Sequence, residues 1–322
     1  MPKISIIYHL YNTVKNLKNS LDSIINLAQS KDVELIVIDD YASDKVREII
    51  NEKDFIDGKN IRYISTSQNM GHSYSYNLGT QIARGEYVYF AGSEYLLDKK
   101  FVSVISKTVD EYEKPDIIIF QETLHRYFEN KSDIDLTKSH VFDQLSSDII
   151  LQSEGIIFNK IYRKDFLLKN KIQLVESHFY TGLFVLETLA KFKKYVYIPE
   201  TLITLVKNFK PSFNLYDLLF QIEEFYDLSK RHNLTNKSYS QVLEFWAIKI
   251  GLYDFINFII YSDLKQKEQE IALNAAWKLI TKIYPKYYEN KYLFGIKQDK
   301  WINYFTKFKP KLSWVEKEFN TK

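Results

Sequence analysis

The sequence predicts an α/β fold, a mostly parallel sheet with helices on both faces, followed by an all-helical C-terminal domain. Three observations carry this. Short apolar runs of strand length alternate with segments of helical period over the first 120 residues. From Asn214 onward the strand signal stops and long helix-like segments thick with Phe, Tyr and Trp take over. The chain has 322 residues, enough for two cores. Strands separated by single helices imply βαβ units, and these build parallel sheets covered on both faces.

Taken in order, Ile4-Ser5-Ile6-Ile7-Tyr8 is a first strand. Val14, Leu17, Leu21, Ile24, Ile25 and Ala28 then recur at helical spacing over 12–28, with Asn12 or Thr13 as N-cap. A second strand, 33–38, ends in Asp39-Asp40, and 43–51 reads as a helix capped by Ser43. A third strand covers 61–64, and a helix over 74–83 stops at Arg84-Gly85, where glycine suits a C-cap. A fourth strand is 87–90. Beyond it the pattern gives helices at 101–113, 164–170 and 183–192, strands at 116–121 and 195–198, and a polar loop over 129–137. The second strand of that set stops at Pro199. Four helices follow, 215–231, 239–261, 268–284 and 300–308, and the boundary falls near Lys210-Pro211. The expected domains are therefore 1–212 and 213–322.

Composition sets mild bounds. Forty-four basic against 41 acidic residues leave a net charge of +3, far from the positive field a nucleic-acid partner requires. No cysteine is present, which excludes disulfides and thiolate metal sites and fits a reducing compartment. The longest apolar stretch, 248–261, is broken by Lys249, Asp254 and Asn257 and is too polar to span a bilayer. The N-terminus runs straight into a strand without a signal core. A cytoplasmic protein is expected, with a peripheral membrane position kept open by the basic aromatic tail at 307–314.

In open parallel sheets, ligands sit beyond the carboxyl ends of the strands. That rule gathers Tyr8-His9, Asp39-Asp40, Ser65-Thr66 and Gly92-Ser93-Glu94 around one crevice. Paired acids at a strand end can accept bonds from a ribose or a base, or cap a turn. Asn69-Met70-Gly71-His72 and Asn77-Leu78-Gly79 surround a helix start that can approach phosphate. No G-x-G-x-x-G follows the first strand and no Walker lysine loop is present, which argues against dinucleotide oxidoreductases and P-loop NTPases.

The ordered set resembles the family 2 glycosyltransferases of the GT-A fold. The motifs are Ile4-Ser5-Ile6-Ile7 with Tyr11-Asn12, the segment from Leu35 through Asp39-Asp40 to Asp44, Asn69-Met70-Gly71 with Asn77-Leu78-Gly79, and Ala83 through Phe90. Asn159 through Leu167, and Tyr197-Ile198-Pro199-Glu200-Thr201-Leu202 with Ser212 beyond it, continue the match over about two-thirds of the chain. The resemblance implies transfer of a sugar, commonly UDP-linked, to a hydroxyl of a glycan, lipid-linked or protein acceptor. It implies a nucleotide site of Tyr11, Asp39, Asp40, Asn69, Gly71 and Ser93, with Asp39 on the uracil and Asp40 nearer the ribose. It also implies Mn²⁺ or Mg²⁺ on the diphosphate, and an inverting displacement assisted by a carboxylate base.

The chain departs from that pattern at four places. The family's Asp-Ser-Asp-Asp reads Gly92-Ser93-Glu94-Tyr95, which leaves Glu94 alone to face the metal. The acidic pair before Leu183-Phe184 reads Thr181-Gly182, so Glu176 and His178 become the substitute bases if their loop folds back. The usual proline is His9, and the usual arginine before Asn77 is Tyr76. Two classes of function fit. One is an active transferase building bacterial surface polysaccharide or glycoprotein. The other is a pseudo-glycosyltransferase that partners an active enzyme, or a second copy of itself, through its aromatic helices.

Overall fold

The computed structural model describes residues 1–12, 16–51, 60–123, 133–206 and 214–320. These residues fall into two compact units. The first holds 1–124, 135–145 and 156–213, and the second holds 125–134, 146–155 and 214–322.

In the first unit β1 (Ile4–Leu10), α1 (Leu17–Ala28), β2 (Val33–Asp39), α2 (Asp44–Asn51), β3 (Ile61–Ser65), α3 (His72–Ile82) and β4 (Tyr87–Ala91) follow one another. The order β3-β2-β1-β4 is parallel throughout, with Ile6 opposite Leu35 on one side and Tyr89 on the other. Every residue of β1 and β2 is buried, as a sheet covered on both faces requires. On one face Ile4, Ile6 and Tyr8 join Leu17, Leu21 and Ile24 of α1. On the other, Gly79 of α3 lies so close over Ile7 that a Cβ there would collide with the Ile7 side chain.

The sheet continues through β5 (Tyr95–Leu97), α4 (Phe101–Glu111), β6 (Ile117–Thr123), β7 (His140–Phe142), α5 (Ser147–Ser153), β8 (Lys160–Arg163), α6 (Lys164–Lys169), α7 (Thr181–Leu189) and β9 (Tyr195–Leu205). Strand β8 enters antiparallel between β4 and β6, and β5 pairs antiparallel with the end of β9. Pro199 does not stop β9. It sits where the β6–β9 register shifts, between the Ile119–Tyr197 and Gln121–Thr201 pairs, and such irregularities tolerate a residue that cannot donate to the ladder.

Buried polar groups pin the N-terminal ends of the strands. Glu34 accepts from Ser5 Oγ at 2.6 Å and Arg84 Nε at 2.7 Å, and pairs with Arg62 at 2.8 Å. Burial works to raise its pKa, but these bonds and the Arg62 charge outweigh it and hold the carboxyl below its ordinary range. Gly85 is not the left-handed cap expected of it. Its Cβ would stand 2.6 Å from the Ser5 nitrogen, so close backbone approach is what excludes a side chain. Helix α1 begins at Leu17 rather than at Asn12, whose side chain instead accepts from the Ser43 amide at 2.9 Å. Thr13, the other expected cap, lies outside the described residues, as does the boundary near Lys210-Pro211.

The second unit contains α8 (Asp217–Arg231), α9 (Lys237–Lys249), α10 (Phe255–Ile260), α11 (Gln266–Ile283), α12 (Asp299–Thr306) and α13 (Leu312–Asn320), together with α5. The expected helix over 239–261 carries a π-helical turn, Ile250–Asp254, between α9 and α10. There Gly251 lets the Ile280 side chain approach to 3.0 Å of where a Cβ would stand. The aromatic tail packs internally: the Trp314 ring stacks 5.4 Å from Tyr304, and Phe308 lies 5.4 Å from Trp277. Among the described residues no helix is long and apolar enough to cross a membrane.

Candidate functional site

Main-chain bonds tie the carboxyl ends of the first three strands. The Asp40 amide donates to the Leu10 carbonyl and the Thr66 amide to the Asp39 carbonyl, both at 2.9 Å. Asp39 is fully buried. Its Oδ1 accepts from the Ala42 amide at 2.7 Å, and its Oδ2 accepts from Arg47 Nε at 3.0 Å and from the Tyr63 hydroxyl. Asp40 is equally buried and accepts from the Met70 amide at 2.6 Å and the Gly71 amide at 2.7 Å. His9 Nε2 lies 3.3 Å from the same carboxylate. Burial works to raise the Asp40 pKa, and the bonds from His9, Met70 and Gly71 outweigh it, so the group is held ionised. Both acids thus shape the crevice floor: Asp39 fixes Tyr63 and Arg47, and Asp40 fixes the turn leading into α3.

That turn leads into the N-terminus of α3. Asn69 is exposed and its Oδ1 accepts from the Gly71 amide at 3.0 Å. Gly71 has φ +86°, and nothing lies within 4 Å of where its Cβ would stand, so conformation rather than space demands glycine. It caps α3, whose first-turn N–H groups and dipole make an anion-receptive end. His72, the first residue of α3, is buried 3.8 Å from the His9 ring, and burial together with the His9 charge pushes its pKa well down. Tyr11, just past the end of β1, is half-buried with its ring 6.5 Å from His9.

The loop carrying the substitute bases does fold back. The Asn77 amide group donates to the Leu174 carbonyl at 2.8 Å, and its oxygen accepts from the Leu174 amide at 2.9 Å. Ser73 Oγ donates to the His178 carbonyl at 2.7 Å, and the Phe179 ring packs 4.8 Å from His72. Glu176 is exposed, 3.3 Å from Asn77 Nδ2. His178 is half-buried, stacked on Tyr180 at 4.8 Å, with Ser177 Oγ 2.7 Å from its Nδ1. The 174–180 loop therefore brings a carboxylate and an imidazole to the flank of α3. Thr181 and Gly182 are the first residues of α7.

The turn after β4 differs from the expectation of a metal-facing acid. Ser93 is 7% and Glu94 6% exposed. The Glu94 carboxylate folds back over Gly92, into the space a side chain at 92 would need. Burial pushes its pKa up to about 7. Among the described residues no group of three or more His, Asp or Glu side chains could hold a metal ion, and a carboxyl enclosed over Gly92, whose charged form burial disfavours, is a poor ligand for a hard cation. The residues present do not fit the Mn²⁺ or Mg²⁺ that the sequence led us to expect.

Sequence reasoning also missed Tyr41. It follows the acid pair, holds φ +60° and leaves 57% of its surface exposed. A bulky residue in that conformation costs roughly 1–2 kcal/mol, and such strain concentrates at binding sites. Nothing in the periodicity announces a positive φ. The one available signal was an aromatic residue placed directly after two acids in a turn.

A family model, glycosyl transferase family 2, matches residues 5–184. Among curated relatives, the poly(ribitol-phosphate) beta-N-acetylglucosaminyltransferase TarP of Staphylococcus aureus (strain N315) is 24% identical over 317 residues, covering 95% of this chain and 88% of its own. The chain spans only 16%, 37% and 40% of the length of three other curated relatives, which it matches over shorter stretches. Among solved structures, S. aureus TarS 1–349 in complex with UDP-GlcNAc aligns with a TM-score of 0.61 at 19% identity, over 89% of this chain and 83% of that one. The mannosyltransferase PcManGT of Pyrobaculum calidifontis, solved with GDP-Man and Mn²⁺, aligns at 0.54 with 10% identity, over 100% of this chain and 88% of that one. These likenesses show the fold.

Proposed function

The chain belongs to glycosyl transferase family 2, and from that premise we propose that it transfers a sugar from a UDP-linked donor to a hydroxyl of a bacterial surface polysaccharide. The observation that carries this is Asp40. One buried carboxylate joins the end of β2, His9 and the Met70 and Gly71 amides, and so sets the N-terminus of α3 where a diphosphate would lie. TarP, matched nearly end to end, is named for N-acetylglucosamine transfer onto poly(ribitol-phosphate), and TarS was solved with UDP-GlcNAc. The TarS complex supports a UDP-N-acetylhexosamine donor, and the name of TarP supports an alditol-phosphate type of acceptor. A nucleotide-sugar donor fits a reaction in the cytoplasm.

In this reading Tyr11 and Tyr41 flank the base, Asp39 holds the pocket wall through Tyr63 and Arg47, and Asn69, Gly71 and Ser93 face the ribose and phosphates. The acceptor hydroxyl attacks the anomeric carbon, and the bond from that carbon to the diphosphate breaks, with UDP leaving on the electron pair. The hydroxyl proton passes to Glu176 or His178, and the anomeric centre inverts. Release of UDP from UDP-GlcNAc, dependent on added poly(ribitol phosphate), is the test. No turnover with that acceptor and no binding of UDP at millimolar concentration would refute the proposal.

A further inference from the structure

We infer that this chain binds its nucleoside-diphosphate donor without a divalent cation, the interlocked Tyr76, Gly92 and Glu94 having replaced the acids that would hold one. The inference rests on the donor reading above and deepens it.

The cluster is built from mutual fit. The Glu94 carboxylate occupies the volume into which any side chain at 92 would project, and the Tyr76 hydroxyl lies 3.6 Å from the same point. An inward Glu94 and a bare glycine at 92 therefore require each other: an aspartate there would expel the glutamate, and an outward glutamate would leave a void. Tyr76, fully buried, donates to the Ala91 carbonyl at 3.0 Å and packs 4.9 Å from Phe90. Ser20 Oγ donates to the Gly92 and Tyr95 carbonyls, each at 3.1 Å, and fixes the turn against α1. The Val206 amide donates to the Glu94 carbonyl at 2.8 Å and holds the same backbone from β9.

The His9 ring, 6.2 Å from Tyr76, extends this packing towards Asp40. Three of the four places where the sequence departs from the family pattern thus pack together, at His9, Tyr76 and Gly92–Tyr95. Unrelated drift at three sites does not yield parts that fill each other's space. A hard cation on a diphosphate is usually held by one or two protein carboxylates open to it, besides phosphate oxygens and water. Here the carboxyl is enclosed, and the diphosphate meets the N-terminus of α3 instead.

The experiment is calorimetric titration of the full chain with UDP, first in EDTA and then with millimolar Mn²⁺ or Mg²⁺. The expected dissociation constants agree within about twofold. Binding that strengthens about tenfold or more with cation overturns this inference and leaves the donor reading standing. Absence of UDP binding in both buffers overturns the two together. Gly92→Asp supplies the converse: by pushing Glu94 outward it should create an acidic pair and make UDP binding cation-dependent. A folded Gly92→Asp protein that stays indifferent to cation would refute the coupling between positions 92 and 94.

Discussion

Replacing Glu94 by glutamine should change the pH dependence of stability in one direction and by a calculable amount. The glutamine keeps the shape of the protonated side chain over Gly92 and has no proton to lose. Below the ordinary carboxyl range, folded and unfolded chains both hold the proton on Glu94. Between 4.5 and about 7 the folded chain holds it while the unfolded chain has released it, so stability falls as pH rises and levels off above that. At about 1.4 kcal/mol per pH unit, the displacement from 4.5 to about 7 amounts to roughly 3 kcal/mol, or some 5–10 °C in Tm for a unit of this size. The groups facing Glu94 are Tyr8, Tyr76 and Tyr89, all pushed up by burial, so they stay neutral across this window. The assay is urea denaturation of parent and Glu94→Gln at pH 5 and pH 8. The two should lie within about 1 kcal/mol of each other at pH 5, and the variant should be the more stable by roughly 3 kcal/mol at pH 8. Parallel losses in both proteins, or a less stable variant at pH 8, would refute the reasoning.

Four further outcomes are expected. Gly79→Ala drives a methyl into Ile7 and should cost about 1–3 kcal/mol in urea denaturation; an unchanged midpoint would disprove the close helix–strand approach. Of Glu176→Gln and His178→Asn, the one that removes the base should lower kcat about 10²–10⁴-fold, and small effects from both would dismiss the 174–180 loop from the chemistry. Asn77→Ala removes both bonds to Leu174 and should lower kcat about tenfold while UDP affinity moves less; equal losses in the two would mean that the helix itself had shifted. Tyr41→Gly should relieve strain, gaining about 1 kcal/mol, and weaken UDP binding about tenfold if the ring stacks on the base; a gain in stability with unaltered affinity would assign the strain to something other than the nucleotide.

Much of the fold was legible because its signals are local. The runs 4–8, 33–38 and 87–90 are buried on both faces, so they read as continuous apolar strands, and β1, β2 and β4 follow them closely. What escaped depends on partners distant in sequence. Strands β5 and β7 are three residues each, too short for periodicity to show. Pro199 reads as a strand end, and only the register shift against β6 makes room for it. The start of α1 was misplaced because Asn12, a good cap in isolation, is spent on Ser43. The site divides the same way. Asp39, Asp40 and Gly71 were legible as types at strand and helix ends. The inward turn of Glu94 was not, since it follows from what Gly92 lacks and Tyr76 fills.

Helix α5 carries a consequence for how the chain is made. Ile149, Ile150 and Leu151 are buried, and α5 packs with α9, which begins about ninety residues after it. A growing chain that has completed β9 holds every strand found among the described residues, yet its α5 still lacks cover for those three side chains. The segment must wait for the C-terminal helices to emerge, and cutting the gene after residue 213 would leave that wait permanent. An expression product ending there is thus expected to be a sticky fragment, and dissecting this protein calls for excising 146–155 as well.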